Sequence, residues 1–327
     1  MSKMKVGDVY NNWEILDNNR VNERYFLCRC IHCKNERLVA ESQLYETRYK
    51  GRNSKCLKCT SLEEGSEFTL KSGYTVKVVK YEKAIKVYIK FPPDDINPEG
   101  YIKVCTKSDL TVTGVVGYPY QRKASGVGYH GSEKGIIPSN THIKDVWSKM
   151  ITRCYNPSEK DKSYKDCSVH PDWHNYSNFY HWYNSQIDNG YFKAGYQLDK
   201  DLLVHGNKVY SESTCCLVPE QINSFLNNSS DTRSTGLPSG IHWKTKNKKF
   251  QVTVKDEFKK HSYLALVSAP EDGYAIYTKE KERVAKALAK KYRGCVREDV
   301  FLALVNYKCP EWDFVNKCYK GFNNERK

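Results

Sequence analysis

The sequence predicts an α+β multidomain chain. Its expected parts are an N-terminal cysteine module, a small β barrel or sheet, a ββα core with preceding helices, and a C-terminal three-stranded sheet packed on a helix. Three observations carry this expectation. The chain has 327 residues, well above the roughly 150 of one ordinary domain. Five of its 13 cysteines crowd between Cys28 and Cys59. Apolar residues recur every second position in some blocks and at three-and-four spacing in others. The expected segments are residues 1–62, 63–131, 138–228 and 236–327.

Composition excludes several classes. Hydrophobic residues make up 39% and charged residues 28%, the balance of a globular chain rather than a disordered one. No run approaches the ~20 apolar residues of a membrane span. The start, MSKMKVGDVYNNW, has no apolar signal core, so secretion is not expected. Lys plus Arg total 53 against 38 Asp plus Glu, a net charge of +15. Such a surplus favours a polyanionic partner, most simply nucleic acid. The 25 tyrosines and 6 tryptophans suit stacking or groove contacts, and equally ordinary cores.

Cys30-Ile-His-Cys33 and Cys56-Leu-Lys-Cys59 are two Cys-x-x-Cys turns with 22 residues between them. Each supplies two thiolates, and together they make the four soft ligands of a tetrahedral zinc. Cys28 or His32 can substitute for one ligand. Alternation along Phe26–Cys30 makes Cys28 equally a packed side chain. A site filled by protein on all four positions is structural rather than catalytic.

In the β-rich segment, Tyr74-Thr-Val-Lys-Val-Val and Lys86–Phe91 alternate as strands, with a third at Tyr101–Cys105. Ala124–Gly131 is Gly-rich and reads as a linker. Thr141 caps a helix carrying Ile143, Val146, Trp147, Met150, Ile151 and Cys154, which Pro157 ends. A second helix carries Phe179, Trp182, Tyr183 and Ile187, its tryptophans expected in the core.

Residues 197–228 read as strand (Gln197–Val204), loop (His205–Ser211), strand (Thr214–Val218) and helix (from Pro219). This ββα order suggests a one-metal phosphodiesterase. Asp199 and Asp201 supply carboxylates, placed by alternation on one strand face with Lys200 on the other. Asn223, in the helix's first turn, is the facing ligand for a hard cation. Lys200, His205 or a metal-bound water supplies the base. Beyond a Ser/Thr/Asn-rich stretch at 228–239, residues 240–265 alternate again. Phe250, Val252 and Val254 point one way; Lys249, Gln251, Thr253 and Lys255 point the other. Ser268-Ala-Pro-Glu271 has the form of a capping box. A helix follows with Tyr274, Tyr277, Val284, Leu288 and Tyr292 on one face, then a shorter one from Arg297 to Tyr307.

The blocks Trp147–Pro157, Val169–Trp173, Asn178–Trp182, Leu198–Asp201, Asn207–Ser211, Cys216–Pro219 and Gln221–Asn223 resemble bacteriophage HNH-type homing endonucleases, over roughly residues 141–228. The resemblance implies a ββα-metal fold and a magnesium- or manganese-dependent DNA nickase or endonuclease in the cytoplasm of an infected bacterial host. It makes Asp199 the strand ligand and Asn223 the helix ligand. The position of the family's general-base histidine is Lys200, and its middle asparagine aligns with Thr214. One ββα core in a monomer would nick one strand; a homodimer could cut both. Ser239-Gly-Ile-His-Trp243, Lys249-Phe-Gln-Val252 and Tyr274-Ala-Ile-Tyr277 resemble the ethylene-response-factor (APETALA-two) domain. That family reads double-stranded DNA with a three-stranded sheet. The expected DNA contacts are Trp243, Lys244, Lys246, Lys249, Gln251, Thr253 and Lys255, with Arg153 from the preceding helix.

Overall fold

The computed structural model describes residues 4–45, 56, 61–133, 135–138, 141–164, 166–191, 193, 195–226, 236–258 and 260–320. The chain is α+β and divides into two compact units, Met1–Tyr118 and Pro119–Lys327.

The first unit opens with an antiparallel sheet ordered β1 (Val9–Tyr10), β2 (Trp13–Val21), β3 (Tyr25–Cys30) and β4 (Glu36–Ala40), followed by α1 (Glu41–Tyr45). Alternation in β3 turns Phe26, Cys28 and Cys30 inward against Trp13, Ile15 and Val39. A second antiparallel sheet is ordered β5 (Glu67–Thr69), β6 (Thr75–Lys83), β7 (Lys86–Phe91) and β8 (Tyr101–Cys105). It pairs each strand with its sequence neighbour, a meander, and Val76, Val78, Val87, Ile89 and Phe91 fill its inner face. Phe91 stacks on Tyr118 at 4.7 Å between ring centroids.

The expected linker at Ala124–Gly131 is not one. Ala124 bridges Gly128, and Tyr129 bridges Asn175 of the second unit. A Cβ on Gly128 would stand 2.8 Å from the Trp147 indole. The segment is packed, and the unit boundary falls after Tyr118 rather than after residue 131.

In the second unit, α2 (His142–Tyr155) starts where the sequence places it, the Thr141 hydroxyl accepting from the Lys144 amide at 3.3 Å. Trp147, Met150 and Ile151 are buried along its inner stripe. After β9 (Ser168–Val169) comes α3 (Tyr176–Asp188), which buries Phe179, Trp182 and Tyr183 but leaves Ile187 exposed. The next elements are β10 (Tyr196–Asp199), β11 (Val209–Tyr210), β12 (Cys216–Pro219) and α4 (Glu220–Leu226). β10 pairs antiparallel with β12, and β11 pairs parallel with β9. A three-stranded antiparallel sheet follows, β13 (Ile241–Lys244), β14 (Lys249–Lys255) and β15 (His261–Val267).

The 23-residue helix α5 (Pro270–Tyr292) contributes to three hydrophobic clusters. Its first turns place Tyr274 and Tyr277 against Ile241, Val252 and Val254 of the sheet. Farther along, Val284, Ala285 and Leu288 pack on Phe225 of α4, and Ala289 joins the large core around Trp147. Full burial of a Val or Leu side chain contributes about 1.5–3 kcal/mol. The helix α6 (Glu298–Val305) adds Val300 and Leu304 to that core. Segments 138–228 and 236–327, expected as separate domains, are therefore joined in one unit. The helix start also differs from expectation. Ala269 is the N-cap and makes no side-chain cap bond, so Pro270, with its fixed φ and missing N–H, begins the helix instead of a capping box.

Candidate metal centre and nucleic-acid interface

Strand β3 delivers Cys30 into a tight turn. The Lys34 amide donates to the Cys30 carbonyl at 2.9 Å, and Lys34 has a φ of 59°, which folds the turn back on itself. Cys33 lies within this turn, and Cys56 arrives beside it with Sγ atoms 3.0 Å apart. The sulfur atoms of Cys30, Cys33 and Cys56 all lie within 4.8 Å of one another. Three convergent thiols, two of them fully buried, can hold a metal ion. Cys59 lies outside the described residues. Cys28 is separate: burial pushes its thiol up to about 11, and its Sγ meets the Phe26 carbonyl at 3.5 Å. His32 is turned toward Asn12, 3.3 Å away.

The ββα element has a different chemistry. β10 ends at Asp199, opposite Cys216, and α4 follows β12 directly. Asp199 is buried, and its Oδ1 accepts the amides of Asp201 at 3.0 Å and Leu202 at 2.8 Å. Its Oδ2 accepts no hydrogen bond among the described residues. Burial pushes the carboxyl up to about 6, and the nearby Asp201 charge adds to this against the pull of the two amides.

The strand stops there, so the expected pairing of Asp199 and Asp201 on one face does not form. The Asp201 carboxylate instead accepts both its hydrogen bonds from Lys200 Nζ, each 2.7 Å. Lys200 is itself buried and also donates to the Asn207 carbonyl at 3.2 Å. Burial is the largest single influence and depresses its pKa, but the Asp201 charge and hydrogen bonds, with the nearby Cys167 and Asp199, together outweigh it and the net shift is upward. The ion pair with Asp201 favours the charged ammonium of Lys200, which counts against its acting as a general base.

Asn207, missed as a functional candidate, closes this loop. Its Nδ2 donates to the carbonyls of Lys200 at 2.9 Å and Val209 at 2.7 Å. The Thr214 hydroxyl donates to the same Val209 carbonyl at 2.8 Å. His205 stands exposed in the turn between these ends. Asn223 donates from Nδ2 to Gln197 Oε1 on β10. The loop residues Asn207 and Thr214 could be suspected from a polar cluster between strands; no local signal marks Gln197.

Gln221 is a further residue the sequence did not flag. Its Oε1 accepts from Lys291 Nζ at 2.7 Å and Tyr292 Oη at 2.9 Å, and its Nε2 donates to the Glu257 carbonyl. It fastens α4 to both the long helix and the sheet.

In the three-stranded sheet the register assigns faces. Ile241 stands opposite Val252, and Trp243 opposite Phe250. Directly paired residues share a face, so Trp243 lies on the side covered by α5, its ring 4.9 Å from Phe250. Among the expected DNA contacts, Trp243 therefore stands on the face opposite the strand lysines, Gln251 and Thr253. The other face carries His242 opposite Gln251 and Lys244 opposite Lys249, and continues through Thr253 and Lys255. Tyr263 and His261 of β15 stand beside the last two. Lys246 sits in the turn between β13 and β14. Arg153, in the last turn of α2, is 3.6 Å from Asp161 and lies over the Tyr164 ring.

No family model matches the chain, and no curated protein or solved structure matches it either. No described helix is long and apolar enough to cross a membrane.

Proposed function

We propose that this chain is a metal-dependent DNA endonuclease of ββα type, brought to double-stranded DNA by its C-terminal sheet. The observation that carries this reading is the sheet face opposite α5, which bears Lys244, Lys249, Gln251, Thr253 and Lys255 while α5 fills the other. Two- and three-stranded ribbons fit a major groove; lysines hold phosphates there while Gln and Thr reach base edges. The net charge of +15 supports such a partner. Because α5 also packs on α4, a duplex seated on the sheet would be held at a fixed offset from Asp199.

Asp199 and Asn223 are the residues that would hold magnesium or manganese, and the second Asp199 oxygen supports this assignment. Such an ion would supply charge stabilisation at the scissile phosphate. Lys200, its charge favoured by Asp201, would act as an electrostatic clamp near the phosphate backbone. The base is then His205 or a water. Cys30, Cys33 and Cys56 would hold zinc, with Cys59 completing a closed structural set.

The same loop supports a second reading, a sequence-selective DNA-binding protein on a ββα scaffold that no longer cuts. Asn223 donates its Nδ2 to Gln197 and Lys200 is bound to Asp201, so both side chains are already engaged in structural contacts. Supercoiled DNA incubated with the purified protein and magnesium or manganese, with and without EDTA, separates the two. Metal-dependent nicking that Asp199→Ala abolishes, with duplex binding retained, supports the endonuclease. Binding without nicking leaves the second reading. Absence of duplex binding sinks both.

A further inference from the structure

The outer face of the β5–β8 meander is a second charged surface, in a part of the chain that the proposed function leaves without a role. On β7, Lys86, Tyr88 and Lys90 alternate onto one side. Register brings Lys77 directly across from Lys90, and Lys80 across from Tyr88. On the far side of β7, Ile102 pairs with Lys90 and Val104 with Tyr88. These two aliphatic side chains are 55% and 47% exposed, so the edge of the face is apolar.

The charge arrangement is unfavourable as it stands. Lys77 faces Lys90, and Lys83 faces Lys86 at the hairpin end. Like charges directly opposed across a sheet destabilise it. The acids on this surface offset only part of that. Glu82 takes Lys80 at 3.1 Å and Lys86 at 2.8 Å, while Glu67 stands across from Lys77 and makes no ion pair among the described residues. Lys80 and Lys86 both lie near the Tyr88 ring, 5.7 and 5.4 Å from its centroid.

We propose that this face binds single-stranded nucleic acid, with phosphates between Lys77 and Lys90 and unpaired bases on Tyr88, Ile102 and Val104. The lysine pair explains attraction to any polyanion. The aromatic and aliphatic groups beside it choose among them. In a duplex the base faces are stacked on one another and only edges and phosphates are offered. An unpaired base offers its flat apolar surface, which Tyr88 and its two aliphatic neighbours can cover. Base identity matters little to such a contact, so the face is expected to bind strands of mixed sequence.

The test is fluorescence anisotropy of the full chain with a labelled oligothymidylate and, separately, with a labelled hairpin duplex, over a salt series. The Lys77→Ala/Lys90→Ala double variant should weaken oligothymidylate binding by about tenfold at low salt and flatten its log–log salt slope by about 1.4. Duplex affinity should stay unchanged. Tyr88→Leu keeps an apolar side chain in place and should cost about tenfold on the single strand alone, the scale of one lost base stack. Thermal melting checks that each variant folds, and removal of the opposed lysines should raise the melting temperature. Unchanged oligothymidylate affinity in folded variants, or an equal loss for the duplex, would overturn the assignment. Lys249→Ala on the other sheet serves as the opposite control, moving the duplex arm and not the single-strand arm.

Discussion

Lys281 of the long helix donates from Nζ to the Phe225 carbonyl at 2.6 Å, and its ammonium lies 4.1 Å from the Phe225 ring centroid. The carbonyl belongs to the last turn of α4, where unsatisfied C=O groups favour a cation. The lysine therefore ties the ββα element to the helix that covers the sheet. Its position is costly, because only 7% of it is exposed and burial pulls its pKa down to about 8. The unfolded chain, with lysine near its ordinary value of about 10.4, binds the proton more tightly. Between those two values the unfolded state carries more protons, so stability rises with pH. Urea unfolding should show a gain of at most about 3 kcal/mol from this group across that window. Lys281→Met should remove the rise, and an identical pH profile in that variant would contradict the assignment.

The cysteine cluster makes a sharper stability prediction. Bound zinc in small protein modules contributes about 10–16 kcal/mol of apparent binding energy, far more than a small sheet can replace. Elemental analysis should find one zinc per chain, lost in Cys30→Ser and in Cys56→Ser. A strong chelator should unfold this sheet and leave the second unit's melting transition in place. Cys28→Ser should keep the metal and lose only about 1–3 kcal/mol, since a hydroxyl replaces a buried thiol. Zinc retained after Cys30→Ser would place the ligands elsewhere.

Around Lys200 the two partners differ in access to water. Side-chain exposure is 9% for Lys200 and 47% for Asp201. Removing the buried cation leaves a carboxylate that water can solvate. Removing the carboxylate leaves a cation that water cannot reach. Asp201→Ala should therefore destabilise the second unit by about 1–3 kcal/mol more than Lys200→Met does. Differential scanning calorimetry of the two variants reads this order directly, and the reverse order would mean that the pair is solvated in solution. The same ion pair predicts that Lys200→Met does not change the pH dependence of any cutting, since a lysine that stays charged takes no proton.

Local patterns were readable, and distant contacts were not. The Thr141 cap and the Trp147–Met150–Ile151 stripe lie within one helix, so three-and-four spacing suffices to place them. The face of β14 follows from strict alternation. Gly128 was misread because its requirement comes from Trp147, nineteen positions away in the chain and adjacent only after folding. Loops rich in Gly look alike whether they are free or pinned beneath an indole. A Gly128→Ala change should cost about 1–3 kcal/mol by overpacking, whereas a true linker would tolerate it without loss. Gln221 and Lys281 have the same origin: their partners come from segments that share no sequence neighbourhood with them. Trp243 is a different case. Adjacent strand residues point to opposite faces, so Trp243 and Lys244 could never both have reached one groove.

That parity gives a direct way to test which face of the sheet meets DNA. If the face opposite α5 binds, Lys249→Ala should weaken duplex affinity by a similar factor on every sequence and reduce the log–log salt slope by about 0.9, one phosphate contact. Gln251→Ala should instead narrow the gap between preferred and random duplexes, since an amide can read a base edge where a lysine on phosphate cannot. Trp243→Ala should leave both quantities unchanged, because its ring leans on Phe250 behind the sheet. Its effect should be on stability, through the lost aromatic pair, at about 0.5–1.5 kcal/mol beyond the area uncovered. Anisotropy titrations of the three variants on one preferred and one scrambled duplex resolve these outcomes. A Trp243 variant that loses affinity while Lys249→Ala keeps it would put the DNA on the helix side, where α5 already stands, and the sheet could not then be the reading surface.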